Sequence, residues 1–192
     1  MPAQKKIKKV LFLKSNQTET ELIKLLRSRG CDVDCFSEKN FKPDGYDLII
    51  SFGYRYIIPE NIICNAPHII NLHISLLPYN KGAHPNFWAH MDSTPSGVTI
   101  HLIDTGIDTG PYLYQKKINF DTKKLTFKES YQILKNEIET LFIKNIDEIL
   151  NLEYKLYKYS GKGSFHNASD LPSGIDWDEI IYKKISELKS RE

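Results

Sequence analysis

At 192 residues, with 41% hydrophobic and 26% charged side chains, the chain has the composition of a soluble globular protein and the length for one well-buried core. A net charge of +2 is too small for a surface that neutralises phosphates, so nucleic acid and anionic membranes are set aside as partners. No apolar run approaches the roughly 20 residues of a membrane span and no signal-peptide core precedes the first strand, so a cytoplasmic location is expected.

Cys31, Cys35 and Cys64 form an odd, sparse set, read as free thiols of a reducing compartment, with Cys31 and Cys35 as core filler on a strand. Lys5, Lys6, Lys8 and Lys9 read as a solvated fringe. Residues 8–14 predict a buried first strand. A helix follows over 18–29, with Leu22, Leu25 and Leu26 on its apolar face, Thr18 as N-cap and Gly30 as stop signal. Residues 31–37 alternate as a second strand with Val33 and Cys35 on one face. The continuous apolar run 46–52 reads as a third and central strand. Pro59 opens a short helix through Ile63, and 68–73 form a fourth strand. This order predicts an α/β fold with an open, mostly parallel twisted sheet flanked by helices.

Further on, 86–91 predict a short helix whose Phe87 and Trp88 pack onto the sheet. Residues 97–104 and 112–120 read as two more strands. Phe127, Tyr131, Leu134, Ile138, Leu141 and Phe142 recur at helical spacing and mark a long amphipathic helix to about residue 150. A turn-rich extension over 151–192 follows the core, which spans about 8–150. It ends in a helix over 178–189 with Asp176 or Asp178 near its start. Without repeats, long linkers or low-complexity blocks, a single domain over 1–192 is expected.

The chemistry concentrates in Asn71-Leu72-His73-Ile74-Ser75-Leu76-Leu77-Pro78 and in Gly106-Ile107-Asp108-Thr109-Gly110. Side chains two apart on a strand share a face, so Asn71 and His73 converge on one point. Asp108 lies between glycines that allow a sharp turn and a close approach to a ligand. An amide donor, an imidazole and a carboxylate suit addition to a carbonyl. The first strand runs into Lys14-Ser15-Asn16-Gln17-Thr18 without glycine, which excludes the dinucleotide fingerprint and the phosphate P-loop. His68, His84, His90, His101 and His166 show no metal-ligand spacing, so no metal is expected. His84, near Gly82 and Pro85, reads as a turn residue or as one wall of a substrate cleft. Arg55, at the carboxyl end of the third strand, reads equally as a solvated charge or a ligand contact.

The pairing of Asn-x-His-x-Ser-Leu-Leu-Pro over 71–78 with Gly82, Gly97-Val98-Thr99-Ile100 and Asp104-Thr105-Gly106-Ile107-Asp108-Thr109-Gly110 resembles the core of the folate-dependent formyltransferases. The resemblance covers about residues 45–120. It implies that Asn71, His73 and Asp108 are the catalytic set and that 10-formyltetrahydrofolate is the co-substrate. It also implies that Tyr54, Arg55, Tyr56 and Ile57 hold the pterin, with Ser75, Leu76, Leu77 and Pro78 flanking the same pocket. In the implied reaction an amine attacks the formyl carbon, Asn71 and His73 stabilise the oxyanion, and Asp108 orients the imidazole or steers a proton-relaying water.

Within that family, the loop Ser15–Thr18 and the Ile107-Asp108-Thr109-Gly110 pattern differ from glycinamide ribonucleotide formyltransferase. The short extension and near-neutral charge differ from the tRNA enzyme. Gly82-Ala83-His84-Pro85-Asn86-Phe87-Trp88 is similar to the sugar N-formyltransferases, so the expected acceptor is a nucleotide-linked aminodeoxysugar. Glycinamide ribonucleotide formyltransferase, a formyltetrahydrofolate hydrolase and a non-catalytic folate-binding module stay as alternatives. Oligomeric state is left open.

Overall fold

The computed structural model describes residues 6–190. A sheet of six strands forms the centre, built from β1 (Lys9–Lys14), β2 (Asp32–Phe36), β3 (Leu48–Phe52), β4 (Ile69–His73), β6 (Ser96–Leu102) and β7 (Tyr112–Ile118) in the order β2-β1-β3-β4-β6-β7. The first four run parallel and the last two antiparallel to their neighbours. This is the α/β class read from the sequence. β3 is buried at every residue, as its unbroken apolar run requires of a strand covered on both faces.

Two apolar layers cover the sheet. On one face, Val10, Phe12 and Ile50 meet Leu22 and Leu26 of α1 (Leu22–Ser28) and Leu134, Ile138, Phe142 and Ile146 of α4 (Phe127–Asn151). On the other, Leu11, Leu13, Ile49 and Ile69 meet Phe41 and Ile62 of α2 (Glu60–Asn65). α4 starts at a reciprocal cap, in which the Thr126 hydroxyl accepts from the Glu129 amide and the Glu129 carboxylate accepts from the Thr126 amide. Among the described residues no helix is long and apolar enough to cross a membrane.

Four expectations change. Thr18 does not cap α1; its hydroxyl bonds the Ser15 hydroxyl at 2.9 Å, while Thr20 Oγ1 accepts from the Leu22 amide at 3.2 Å. Cys35 is exposed while Cys31 is buried, because β2 is the sheet edge and Val33, but not Cys35, reaches the core layer. Phe87, on α3 (Pro85–Met91), packs with Phe127 and Ile181 away from the main sheet layers, and Trp88 stacks on His166 at 3.9 Å. The last helix, α5 (Ile181–Lys189), begins after both Asp176 and Asp178. Its opening amides are satisfied by main-chain carbonyls, Ile181 by Leu125 at 3.0 Å and Tyr182 by Thr122 at 2.9 Å. Lys6, Lys8 and Lys9 lie at the exposed start of β1, and Lys5 falls outside the described residues.

The extension after α4 returns to the body of the protein. Its strand β8 (Phe165–His166) pairs in parallel with β5 (Lys81–Gly82), in the loop between β4 and α3. Ser164 lies at the centre of the join. Its amide donates to the Pro78 carbonyl at 3.2 Å, its hydroxyl accepts from the Asn80 amide at 2.8 Å, and its carbonyl accepts from the Lys81 amide at 3.0 Å. His166 adds a contact to Asp92 at 2.8 Å.

His90 of α3 gives a measurable consequence of burial. Its ring packs edgewise on Phe120 and Phe127, and its Nε2 is buried with no hydrogen-bond partner among the described residues. Desolvation lowers its pKa from 6.5 to about 4. The unfolded chain therefore binds more protons than the folded one between those values. Stability is complete above about pH 6.5 and falls as the pH drops towards 4, by up to about 3 kcal/mol from this group. Urea titrations at the two ends of that window are expected to show the loss, and His90→Phe is expected to remove part of it.

Candidate active site

Asn71 and His73 lie two residues apart on β4, and the structure brings Asp108 to both. Asn71 Nδ2 is 3.4 Å from Asp108 Oδ1, and His73 Nε2 is 3.7 Å from Asp108 Oδ2. The Gly82 amide donates to Asp108 Oδ2 at 2.8 Å. The carboxylate is thus held from two directions, by a side-chain amide and by the backbone of the loop after β4.

A fourth group joins them. The antiparallel register sets His101 of β6 directly opposite Asn71. His101 Nε2 is 3.3 Å from Asn71 Nδ2 and 3.5 Å from Asp108 Oδ1, and its Nδ1 is 2.7 Å from the Leu102 carbonyl. Nδ1 therefore carries a hydrogen towards that carbonyl, and Nε2 faces the Asn71 amide and Asp108. His101 reads as an ordinary histidine in the sequence; only the pairing of β4 with β6 places it here.

The electrostatics follow from burial. Desolvation pulls the His73 pKa below its usual value, and this outweighs the opposite pull of Asp108. Burial alone would raise the Asp108 carboxyl, but the two imidazoles and the Gly82 amide hold it well below the usual carboxylate range. At neutral pH the pair is a neutral imidazole beside a carboxylate. The His73 ring is hydrogen-bonded to the Asn80 backbone, while its Nε2 is buried without a hydrogen-bond partner among the described residues. An unsatisfied ring nitrogen beside a buried carboxylate is costly unless a ligand or a transferred proton completes it.

Asp108 itself adopts a left-handed backbone, with φ of 52°, whereas Gly106 and Gly110 do not. The two glycines supply space instead of the turn. A Cβ at Gly110 would strike the Leu102 carbonyl, and one at Gly106 would strike the Thr109 hydroxyl. A non-glycine residue in this region stores strain of about 1–3 kcal/mol and aims the carboxylate at β4.

The residues matched to a pterin site divide into two groups. The Tyr54 hydroxyl donates to the Glu38 carbonyl at 2.5 Å, and its ring meets Phe41 and Tyr56 edge-on. Arg55 bonds Gln17 at 2.5 Å and, with Tyr56, lines a hollow of about 200 Å³ shared with Ser15, Asn16 and Ser37. Ile57 is 77% exposed, an apolar side chain available for a ligand to cover. Ser75 and Leu77 are buried inside the loop. The Ser75 hydroxyl donates to the Tyr79 carbonyl, and the Leu77 amide donates to Thr99 Oγ1 at 3.2 Å. Leu76 packs beside Gly97, and the Pro78 carbonyl receives Ser164. Ser75–Pro78 therefore shape the loop. His84, left-handed at φ 52°, stacks on Trp177 at 6.0 Å.

Comparison with known proteins adds to this geometry. Methionyl-tRNA formyltransferase of Thermodesulfovibrio yellowstonii is 36% identical over 127 residues, 62% of this chain and 40% of its own length. That of Prochlorococcus marinus is 32% identical over 160 residues, 76% of this chain and 48% of its own. The chain thus spans less than half the length of these tRNA enzymes. Among solved structures, the formyltransferase PseJ from Anoxybacillus kamchatkensis, crystallised with UDP-4,6-dideoxy-4-formamido-L-AltNAc and tetrahydrofolate, is 35% identical with a TM-score of 0.82. That similarity covers 91% of this chain and 96% of PseJ. A 4-N formyltransferase from Francisella tularensis shares the fold at 21% identity and a TM-score of 0.75, over 93% of this chain and 87% of its own. The model of the formyl transferase family matches residues 2–146, and the chain belongs to that family.

Proposed function

We propose that this protein moves a formyl group from 10-formyltetrahydrofolate to the primary amine of a nucleotide-linked aminodeoxysugar. The observation that carries the acceptor class is the likeness to PseJ over nearly the whole of both chains. The tRNA enzymes are matched over less than half their length. A cytoplasmic location belongs to the same reading.

The residues fit a folate that donates its formyl group. Tyr54, Arg55, Tyr56 and Ile57 would hold the pterin, with Ser75–Pro78 setting the wall beside it. The bound folate supplies an electrophilic formyl carbon. Asn71 Nδ2 turns the hydrogen that faces Asp108 Oδ1, 3.4 Å away, to the charge that develops on the carbonyl oxygen, an interaction worth about 2.7–4 kcal/mol in comparable sites. His73, neutral and open at Nε2, accepts the proton that the attacking amine must lose and returns it to the leaving nitrogen. Asp108 stabilises the imidazolium while it carries that proton. His101 holds the Asn71 amide in the donating orientation.

The test incubates the protein with 10-formyltetrahydrofolate and a panel of acceptors. These are the 4-amino form of the UDP-linked dideoxysugar, other aminosugar nucleotides, glycinamide ribonucleotide and methionyl-tRNA. Mass spectrometry is expected to find one added formyl group on an aminosugar nucleotide. Formylation of the tRNA alone would move the chain to the branch of its 36%-identical relative, and formate release without an acceptor would make it a hydrolase.

A further inference from the structure

A cavity of about 530 Å³ is lined among others by Ile74, His84, Phe127, Tyr131 and Trp177. Two short stretches of chain tie it to the candidate site. Ile74 follows His73, and His84 lies two residues beyond Gly82, whose amide holds Asp108. Its size falls within the range of small-molecule pockets.

The lining selects the chemistry. Phe87 and Phe127 are fully buried beneath it, while Tyr131 and Trp177 remain 49% and 39% exposed at the mouth. Large half-exposed aromatic faces around a concavity are surfaces that a ligand would cover. Burial keeps His84 neutral by lowering its pKa. Lys128 at the rim is already paired with Asp178 at 3.0 Å. The polar floor is also satisfied, with Asn86 donating to the Phe127 carbonyl and accepting from Ser130. The cavity thus offers no seat for a diphosphate, and takes an uncharged ring with an apolar face.

Trp177 is fixed in place before any ligand arrives. Its carbonyl accepts the Lys128 amide in the first turn of α4 at 2.9 Å, and its indole meets Phe127 edge-on at 6.0 Å. It also lies outside residues 2–146, the stretch matched by the family model.

We infer that this cavity is the subsite for the sugar ring of the acceptor, and that Trp177 is its specificity-determining wall. The inference rests on the aminosugar reading above. A dideoxysugar presents more C–H surface than a fully hydroxylated one, and that surface lies against the faces of Trp177 and Tyr131. The amine then projects past Ile74 towards His73 Nε2, and the diphosphate stays in solvent.

The test combines binding and kinetics. Indole emission is followed while wild type and Trp177→Phe are titrated separately with the UDP-linked 4-amino-4,6-dideoxysugar, with UDP and with 5-formyltetrahydrofolate. The sugar nucleotide is expected to change the emission of wild type well beyond UDP, and Trp177→Phe is expected to lose that change while Trp88 still reports a folded protein. Trp177→Ala is expected to raise KM for the sugar about tenfold and to leave KM for the formyl donor unchanged. An unchanged acceptor KM, or an equal emission change with 5-formyltetrahydrofolate alone, overturns the subsite and leaves the enzyme reading standing. A wild-type protein that neither binds nor formylates any aminosugar nucleotide overturns both.

Discussion

Asp108→Asn is expected to keep the fold and to lower turnover by about 10²- to 10⁴-fold. Asparagine has the same shape and tolerates the left-handed backbone at this position, so the loop between β6 and β7 keeps its path. What changes is the charge. The Gly82 amide approaches one carboxylate oxygen and the Asn71 amide the other, so a neutral amide must turn its own NH2 towards one of these donors. With its oxygen towards Gly82, the new NH2 faces His101 Nε2, 3.5 Å from the present Oδ1. That arrangement is tolerable at rest, but it leaves His73 with no anion to stabilise an imidazolium. The loss is therefore expected in kcat, with KM for the folate little altered and urea unfolding close to wild type. Full turnover in a well-folded Asp108→Asn protein would remove the carboxylate from the proposed chemistry.

Gly163→Ala is expected to reduce stability and activity together, although Gly163 touches none of the reacting groups. Its φ of +65° is one that side chains rarely adopt, and a Cβ there would collide with the Pro78 carbonyl. The strain of such a residue amounts to about 1–3 kcal/mol, and the collision falls on backbone, which cannot move aside as a flexible side chain can. Relief requires Ser164 to move off Pro78, Asn80 and Lys81. Asn80 bonds the His73 ring and Gly82 holds Asp108, so displacement of the loop disturbs both. Gly161→Ala is the control: its φ is +84° but open space surrounds it. It is expected to cost stability by roughly 1 kcal/mol from conformation alone and to leave turnover unchanged. Urea midpoints and kcat for the two variants separate collision from backbone strain.

What was legible in the chain is what carries a periodic or pairwise signature. The unbroken run through Leu48–Phe52 marked a buried strand, and the two-residue spacing of Asn71 and His73 placed both on one face of β4. The arrival of Asp108 beside them rested on the family resemblance, and the structure brings the three together. His101 has no local signature, because a strand gives no sign of its antiparallel partner and the register that sets it against Asn71 is a tertiary fact. Gly82 stands out as a motif residue, yet its contribution is an amide hydrogen, which every residue but proline carries. Threonine before a helical run is the usual cap signal, which points to Thr18; the helix starts only at Leu22, behind Glu21, whose side chain makes no cap, and it is Thr20 Oγ1 that accepts the Leu22 amide. Ser164 and Trp177 sit in a turn-rich stretch where neither helical nor strand periodicity applies, so nothing local announced their contacts.

The join between β5 and β8 bears on how such proteins are cut and recombined. A recombinant chain ending at Ile146, where the family match stops, would retain Asn71, His73, His101 and Asp108 but lose the strap that braces Pro78–Ala83. Chimeras drawn along that boundary would bring together two halves of one clamp that had never been fitted to each other. The tail and the loop form a single inherited unit, and exchanging one calls for exchanging the other.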